Sequence, residues 1–207
     1  MVDTEARDVS RASLYRSSIK TIAKLPTVIA VGHRLARGLD PIDPIRRLTH
    51  AQNFFYMLSG YGPDEDAAIA LDKMLILYAE HESDLSCLAA RVMASSSMDY
   101  YSAITASIGA LKGRLQRGTH EHAMPMLRCI GEIARAEEWL VDALAGSRRI
   151  TGFGQGNETA SARIMKELSR TLAEKIEDRH WHMLGERGEE VMLREKGLRY
   201  NPDFYAG

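Results

Sequence analysis

The chain has 207 residues, of which 27 are Lys or Arg and 28 are Asp or Glu, so its formal net charge is -1. This balance excludes the strong basic field that would attract nucleic acid or an anionic membrane, and no apolar run approaches the ~20 residues of a membrane-spanning helix. Because the N-terminus is polar and Cys87 and Cys129 stand alone, we expect no secretion signal, disulfide framework or zinc site, and a reduced, cytoplasmic protein of one large or two small domains.

The apolar pattern predicts an all-α protein, since no convincing alternating strand segment with hairpin turns is present. A first helix is predicted over residues 10–24, ending before Pro26, because proline cannot continue the helical hydrogen-bond ladder. A second helix is predicted over residues 28–37, ending at Gly38. Two prolines mark residues 39–47 as a connector.

Helix-capping residues define the next elements. Thr49 is predicted to cap a helix that stops at Gly60 and Gly62. Asp64 is predicted to cap a longer amphipathic helix, and Asp99 a helix over residues 100–111. The small side chains of this last helix allow close backbone approach, which predicts deep burial or a subunit interface; an ordinary alanine-rich core helix has the same pattern.

The second half of the chain contains two amphipathic patterns, a loop between them and a terminal segment. Helices are predicted over residues 126–144 and 160–184, joined by a glycine-rich loop. The last residues, 197–207, contain aromatic side chains and an aspartate that we expect to be buried, not the polar sequence typical of a domain terminus. This suggests a chain that is cut short or completed by a partner.

The most specific pattern surrounds His81. A histidine at a helix end is more often a capping or structural group than a site residue. Here, however, the surrounding sequence reads LYAEHE, then ARV, then SMDYYSAITASIGALKG, ending near Gly113. It resembles the citrate synthase and 2-methylcitrate synthase family, and LYAEHE looks more like the 2-methylcitrate members. The resemblance implies that His81 binds a carboxylate of a 2-oxo acid substrate.

A second segment, residues 113–123, reads GRLQRGTHEHA. It resembles the family sequence GPLHGGANEA, in which the histidine is catalytic. Gln116 stands at the histidine position, Arg117 replaces a glycine and His120 replaces the asparagine, while Glu121 is retained. By this resemblance Gln116 is a candidate catalytic residue; otherwise it is an ordinary polar residue of a loop.

A third segment reads GFGQ, residues 152–155, and resembles GFGHRVYK of the family. In relatives this backbone lies beside the adenine region of coenzyme A, so the resemblance makes Gly152, Phe153 and Gly154 candidate coenzyme A-binding residues, with glycine permitting close backbone approach. Gln155 replaces the second catalytic histidine.

Two further positions complete the candidate site. Direct alignment of the next helix places Thr159 and Ser161 on the DPR positions of the family, so that the arginine that binds the oxo-acid carboxylate is missing. A small gap would instead bring Arg163 into that place. The last residues, 201–207, read NPDFYAG and resemble NVDFYSG, whose aspartate is the general base. The resemblance therefore makes Asp203 the candidate base and Arg163 a candidate oxo-acid ligand.

The resemblance also implies a domain organisation and a reaction. Residues 1–112 would be part of a large helical domain with dimer-interface helices, and residues 113–207 most of the small domain that closes over the substrates. The reaction would condense an acyl-CoA with a 2-oxo acid: acetyl-CoA with oxaloacetate to citrate, or propionyl-CoA to 2-methylcitrate. The coenzyme A thioester is a co-substrate, and neither a covalently bound cofactor nor a metal is expected.

Three hypotheses follow. The first is a condensing acyltransferase subunit, acting as a homo-dimer or as a hetero-oligomer with a citrate synthase-like subunit. The second is a non-catalytic regulatory or structural subunit, or a decayed remnant. The third, a small helical interaction module unrelated to coenzyme A, does not account for the long block around His81. We also expect marginal stability of the isolated chain, with apolar faces left exposed.

Overall fold

A computed structural model describes residues 7–62, 64–79, 85–112, 119–146, 148, 150–154 and 158–206. The chain divides into two compact units, Met1–Gln116 and Arg117–Gly207. Within the described residues nearly all regular structure is helical, which confirms the all-α prediction. In these same ranges, no helix has both the length and the hydropathy to cross a membrane.

The first unit is helical over its described residues. Its helices are α1 (Arg11–Ala36), α2 (His50–Ser59), α3 (Glu65–Ala79), α4 (Leu85–Ser95) and α5 (Tyr100–Leu111). Helix α2 packs on α1 and α3, and α4 packs along α5 as a helical pair.

The second unit combines helices with two very short strands. Its elements are α6 (Thr119–Ile130), a 3₁₀ turn (Ile133–Arg135), α7 (Ala136–Ala145), β1 (Phe153–Gly154), α8 (Ala160–Lys175), α9 (His180–Lys196), β2 (Arg199–Tyr200) and a second 3₁₀ turn (Pro202–Phe204). Helix α9 packs against α6, α7 and α8, so it lies at the centre of this unit.

Helix α1 corrects one prediction. It is a single helix of 26 residues that runs through Pro26, so the predicted end before the proline was wrong. The buried side chains of α1 lie on both sides of the proline, at Ser13, Ser17 and Ala30. The helix therefore has buried positions before and after the proline, and it continues although Pro26 cannot donate a backbone hydrogen bond. The helix ends at Ala36, shortly before Gly38, whose φ is +70°.

The predicted caps are confirmed. Thr49 Oγ1 accepts from Gln52 N at 3.3 Å while Gln52 Oε1 accepts from Thr49 N at 3.0 Å, a complete capping box. Asp64 Oδ1 accepts from the first-turn amides of α3, and Asp99 Oδ1 accepts from Ser102 N at 3.1 Å. Gly60 ends α2 in the left-handed conformation at φ 84°.

Both long helices predicted in the second unit are interrupted. The pattern over 126–144 is divided at Gly131, φ +76°, and that over 160–184 at Glu177, φ +56°. Each turn is stabilised by contacts that the apolar periodicity does not predict. His180 Nε2 donates to the carbonyl of Gly131 at 2.7 Å and so joins the two turns.

The two units differ in how they bury apolar side chains. The second contains a contiguous core, which includes Ile130, Leu140, Leu184, Val191 and Phe204. In the first, the buried side chains are small apart from Met57, and large apolar side chains remain exposed. These include Tyr15, Ile19, Ile22, Val28 and Ile29 on α1, Leu75 and Ile76 on α3, and Leu88 and Val92 on α4.

Candidate functional site

The two short strands join segments that are far apart in the sequence. Phe153 pairs with Tyr200 and Gly154 with Arg199 in an antiparallel arrangement. Asn201 N also donates to the carbonyl of Gly152 at 2.9 Å. The glycine loop (residues 152–154) therefore lies against the aspartate turn (residues 201–206), and it is the backbone that fixes their register.

Phe204 and Gly152 are in direct contact. A β-carbon at Gly152 would lie 2.6 Å from Phe204 Cδ2 and 2.7 Å from its Cβ, and the φ of Gly152 is +86°. The rings of Phe153 and Phe204 have centroids 4.5 Å apart, and Phe204 is 2% exposed within the apolar core. Glycine is thus required at 152 by both backbone conformation and space.

Asp203 lies in the middle of the aspartate turn. Asn201 caps this turn by accepting from Asp203 N with its Oδ1 at 3.1 Å, and Pro202 occupies the first position, where no amide donor is needed. The turn packs against α6 and α8. Asp203 is half-buried. Its carboxylate is carried by a short, capped turn, and the next residue, Phe204, is anchored in the core.

Two tyrosines flank Asp203 on either side in the sequence. Tyr200 donates to Glu158, and Tyr205 Oη donates to Glu189 Oε2 at 3.1 Å. The pKa of Tyr205 is raised by burial, then by the charge and hydrogen bond of Glu189. The pKa of Tyr200 is raised by burial and by its hydrogen bond to Glu158. Both phenols therefore keep their protons and act as donors near neutral pH.

His182 is a buried titratable side chain beside this turn. Its Nδ1 lies 3.0 Å from Ser169 Oγ, whereas its buried Nε2 has no hydrogen-bond partner and is 3.7 Å from Glu186 Oε1. Its ring lies 5.6 Å from that of Tyr205. Burial lowers the pKa of His182, while Glu186 acts in the opposite direction. The imidazole is therefore neutral near pH 7.

Arg163 and Thr159 occupy the start of α8. Thr159 Oγ1 accepts from Ala162 N at 3.1 Å and caps the helix, so its side chain has a structural role. Arg163 is exposed on the first turn. The positive charge of Arg163 acts to lower the pKa of Tyr200, but burial raises that pKa by more.

The remaining candidate residues, His81, Gln116 and Gln155, lie outside the described residues, as does the side chain of His120. Among the predicted residues the structure thus brings together the glycine loop and the turn of Asp203. The sequence did not predict the contacts made by Phe204, Tyr205 and Glu189. Gly152 was the one residue whose type indicated a close contact. Over the described ranges, no three His, Cys, Asp or Glu side chains are grouped so that they could hold a metal ion.

Comparison with known proteins gives a consistent result. Residues 2–207 match the family described as citrate synthase, C-terminal domain. Citrate synthase 2 of Bacillus subtilis is 37% identical over 209 residues, covering 100% of this chain and 56% of that protein. A 2-methylcitrate synthase of Mycobacterium tuberculosis is 45% identical over 137 residues, covering 66% of this chain and 35% of that protein.

Solved structures agree with these relatives. The citrate synthase of Thermotoga maritima has a TM-score of 0.83 at 31% identity, covering 97% of this chain and 56% of that one. The citrate synthase of Pyrobaculum aerophilum has a TM-score of 0.84 at 35% identity, covering 95% and 51%. This chain spans about half the length of the relatives it matches. It belongs to the citrate synthase family.

Proposed function

We propose that this chain provides the general base and the coenzyme A-facing loop of a citrate synthase-type site, which condenses an acyl-CoA with a 2-oxo acid. The products would be citrate from acetyl-CoA and oxaloacetate, or 2-methylcitrate from propionyl-CoA. The observation that carries the proposal is the contact between the glycine loop and the aspartate turn, through Asn201 N to Gly152 O and through Phe204. In this proposal residues 1–112 are part of the large domain and residues 113–207 most of the small domain.

Asp203 takes the role of base. Its carboxylate removes a proton from the carbon next to the thioester carbonyl, and the resulting enolate carbon attacks the keto carbon of the oxo acid. A carbon–carbon bond forms, the keto oxygen takes up a proton, and hydrolysis of the thioester releases coenzyme A. Because the α-proton is weakly acidic, stabilising the enolate oxygen is the difficult part; one such donor typically contributes about 10²–10³ in rate.

Gln116 and Gln155 take the two positions that hold histidine in the family. A carboxamide carries an NH₂ donor, so Gln116 can donate to the enolate oxygen and Gln155 can polarise the keto group. Neither side chain titrates, and the loss of a general acid typically costs about 10²–10⁴ in rate. We therefore expect slow turnover in which water supplies the proton to the keto oxygen.

His81 and Arg163 are the proposed ligands of the oxo acid. A guanidinium can hold a carboxylate through two parallel hydrogen bonds, and Arg163 is exposed at the start of α8, where it can meet a substrate. Both substrate classes are supported by a solved citrate synthase from Thermoplasma acidophilum, in ternary complex with carboxymethyl coenzyme A and oxaloacetate. That structure has a TM-score of 0.88 at 26% identity, covering 96% of this chain and 54% of that one.

The proposed assembly is a homo-dimer or a hetero-oligomer with a citrate synthase-like subunit. It is supported by the large apolar side chains that the first unit leaves exposed, such as Tyr15, which is 69% exposed, and Val28 and Ile76, each 64% exposed. Extensive exposed apolar surface is typical of proteins that bind another polypeptide there.

A non-catalytic subunit is the second candidate. The observation that favours it is the presence of glutamine, at Gln116 and Gln155, in place of both family histidines. Such a subunit would bind a full-length relative stably and show no turnover of its own. A chain that never co-purifies with a citrate synthase-like protein would contradict this candidate.

The test is a calorimetric titration with coenzyme A, followed by an assay of thiol release with acetyl-CoA or propionyl-CoA and oxaloacetate. Both are done on the purified chain alone and with a co-expressed citrate synthase-like subunit. We expect saturable binding, and thiol release that Asp203→Asn abolishes. The control is Asp142→Asn, on the exposed face of α7, which should leave release unchanged. Absence of coenzyme A binding in both preparations would defeat the proposal.

A further inference from the structure

Tyr205 is the second residue after Asp203, and its hydroxyl is held between two helices. Tyr205 Oη donates to Glu189 Oε2, on α9, at 3.1 Å. The same carboxylate oxygen accepts from Lys166 Nζ, on α8, at 2.7 Å. A single oxygen atom therefore joins α8, α9 and the aspartate turn. We call Lys166, Glu189 and Tyr205 the tyrosine clamp.

The ring of Tyr205 is packed against neighbouring groups on several sides. It makes edge contacts with Tyr200 and Phe204, at centroid distances of 5.2 Å and 5.1 Å. On the side of α9, a β-carbon at Gly185 would lie 3.1 Å from Tyr205 Cε1. Lys166 Nζ lies 5.7 Å from the ring centroid, where an ammonium is attracted to the aromatic face. The ring position leaves the hydroxyl directed at Glu189.

The charges of the clamp are only partly screened by water. The side chains of Lys166 and Glu189 are 28% and 22% exposed, respectively. Lys166 also lies 3.7 Å from Glu186, so one ammonium faces two carboxylates. Hydrogen bonds to an ionised, part-buried acceptor are stronger than those between neutral groups. Glu189 is thus well suited to fix the tyrosine.

We infer that Glu189 is a positioning residue which, with Lys166, holds Tyr205 and thereby fixes the turn that carries Asp203. The inference rests on the proposed function, in which Asp203 is the base. The turn has two side-chain anchors after Asp203: Phe204 in the apolar core and Tyr205 in the clamp. An apolar anchor resists withdrawal of the turn but fixes its rotation poorly, because burial is not directional. The hydrogen bond to Glu189 is directional, and it supplies the missing restraint.

Three variants separate the parts of the clamp. Tyr205→Phe removes only the hydroxyl, Glu189→Ala removes the acceptor, and Glu189→Gln keeps an acceptor oxygen but loses the charge. The matched control is Glu190→Ala, because Glu190 is the next residue on α9 and pairs on the surface with Arg187. Far-ultraviolet circular dichroism checks that each variant is folded.

The first readout is amide hydrogen exchange in residues 199–206 of the full chain. Tyr205→Phe and Glu189→Ala should each speed exchange there roughly ten-fold, as expected for the loss of one charge-assisted hydrogen bond. Glu189→Gln should fall between these variants and the parent chain, and Glu190→Ala should match the parent. Unchanged exchange in both Tyr205→Phe and Glu189→Ala would overturn the inference, whatever the chain's turnover.

The second readout is thiol release over a series of acyl-CoA concentrations up to saturation. A misplaced base lowers kcat and leaves the KM for acyl-CoA unchanged, because substrate binding is not affected. We expect kcat to fall about ten-fold in Glu189→Ala, with partial recovery in Glu189→Gln. A raised KM at unchanged kcat would count against positioning. If the parent chain releases no thiol, the proposed catalysis fails, and hydrogen exchange alone decides whether the clamp fixes the turn.

Discussion

Gly152 and Phe204 approach each other so closely that a β-carbon at position 152 would lie 2.6 Å from Phe204 Cδ2. This contact fixes the glycine loop on the aspartate turn. Gly152→Ala should therefore destabilise the second unit by about 2–4 kcal/mol, through backbone strain at φ +86° and overlap with a buried ring. Chemical denaturation followed by tryptophan fluorescence measures the loss.

The control for this variant lies two residues away. Gly154→Ala places a β-carbon where no atom lies within 4 Å, so we expect little change in the free energy of unfolding. Equal destabilisation by Gly152→Ala and Gly154→Ala would show that the loop is sensitive to any side chain and that the Phe204 contact is not the cause.

Pro26 lies inside a continuous helix and cannot donate a hydrogen bond there. Because the helix is already formed on both sides, Pro26→Ala should add a backbone hydrogen bond and stabilise the chain by about 1–3 kcal/mol. Lys24→Ala, at an exposed position of the same helix, is the control for a general gain in helix propensity. A decrease in the thermal midpoint of Pro26→Ala would instead show that the half-buried ring contributes packing that alanine loses.

We expect His182 to make the stability of the second unit depend on pH. Burial lowers its pKa below the ordinary value of 6.5; Glu186 and Glu174 favour the charged form, and Lys166 and Arg170 oppose it. The unfolded chain then binds the proton more readily than the folded chain, so this contribution is complete above about pH 6.5 and decreases as the pH falls towards the pKa of the folded state.

We therefore expect the free energy of unfolding to fall less between pH 7 and pH 5 in His182→Gln than in the parent chain. Urea denaturation at a series of pH values measures this difference. His122→Gln removes an exposed imidazole from α6 and controls for the general effect of losing a histidine. Parallel pH curves for the parent and His182→Gln would show that His182 does not titrate differently in the two states.

Features that depend on adjacent residues could be predicted from the sequence. Thr49, Asp64 and Asp99 cap their helices with side-chain oxygens that reach amides two or three residues ahead. The helix interruptions could not, because apolar periodicity continues through the turns at Gly131 and Glu177. One stabilising contact of these turns, His180 Nε2 to Gly131 O, joins residues 49 positions apart in the sequence.

The same distinction applies to the candidate site. The motif around Asp203 could be recognised as a segment, because its residues are contiguous. Its anchors could not, since Gly152 O and Glu189 Oε2 reach the aspartate turn from distant parts of the chain. Glycine at 152 indicated that another group lies close, but the sequence does not say that this group is Phe204.

Gln116 and Gln155 lack the titratable group that a histidine would supply. If turnover is limited by the absence of titratable donors at Gln116 and Gln155, then Gln155→His should raise the rate of thiol release by about 10²–10⁴, because a general acid can then protonate the keto oxygen. Gln116→His should give a smaller gain, since glutamine already has an NH₂ donor for the enolate oxygen. The double variant should remain dependent on Asp203, so that adding Asp203→Asn returns the rate to background. A double variant that binds coenzyme A without releasing thiol would place the limitation elsewhere, in the anchoring of the oxo acid by His81 and Arg163, and would favour the non-catalytic role.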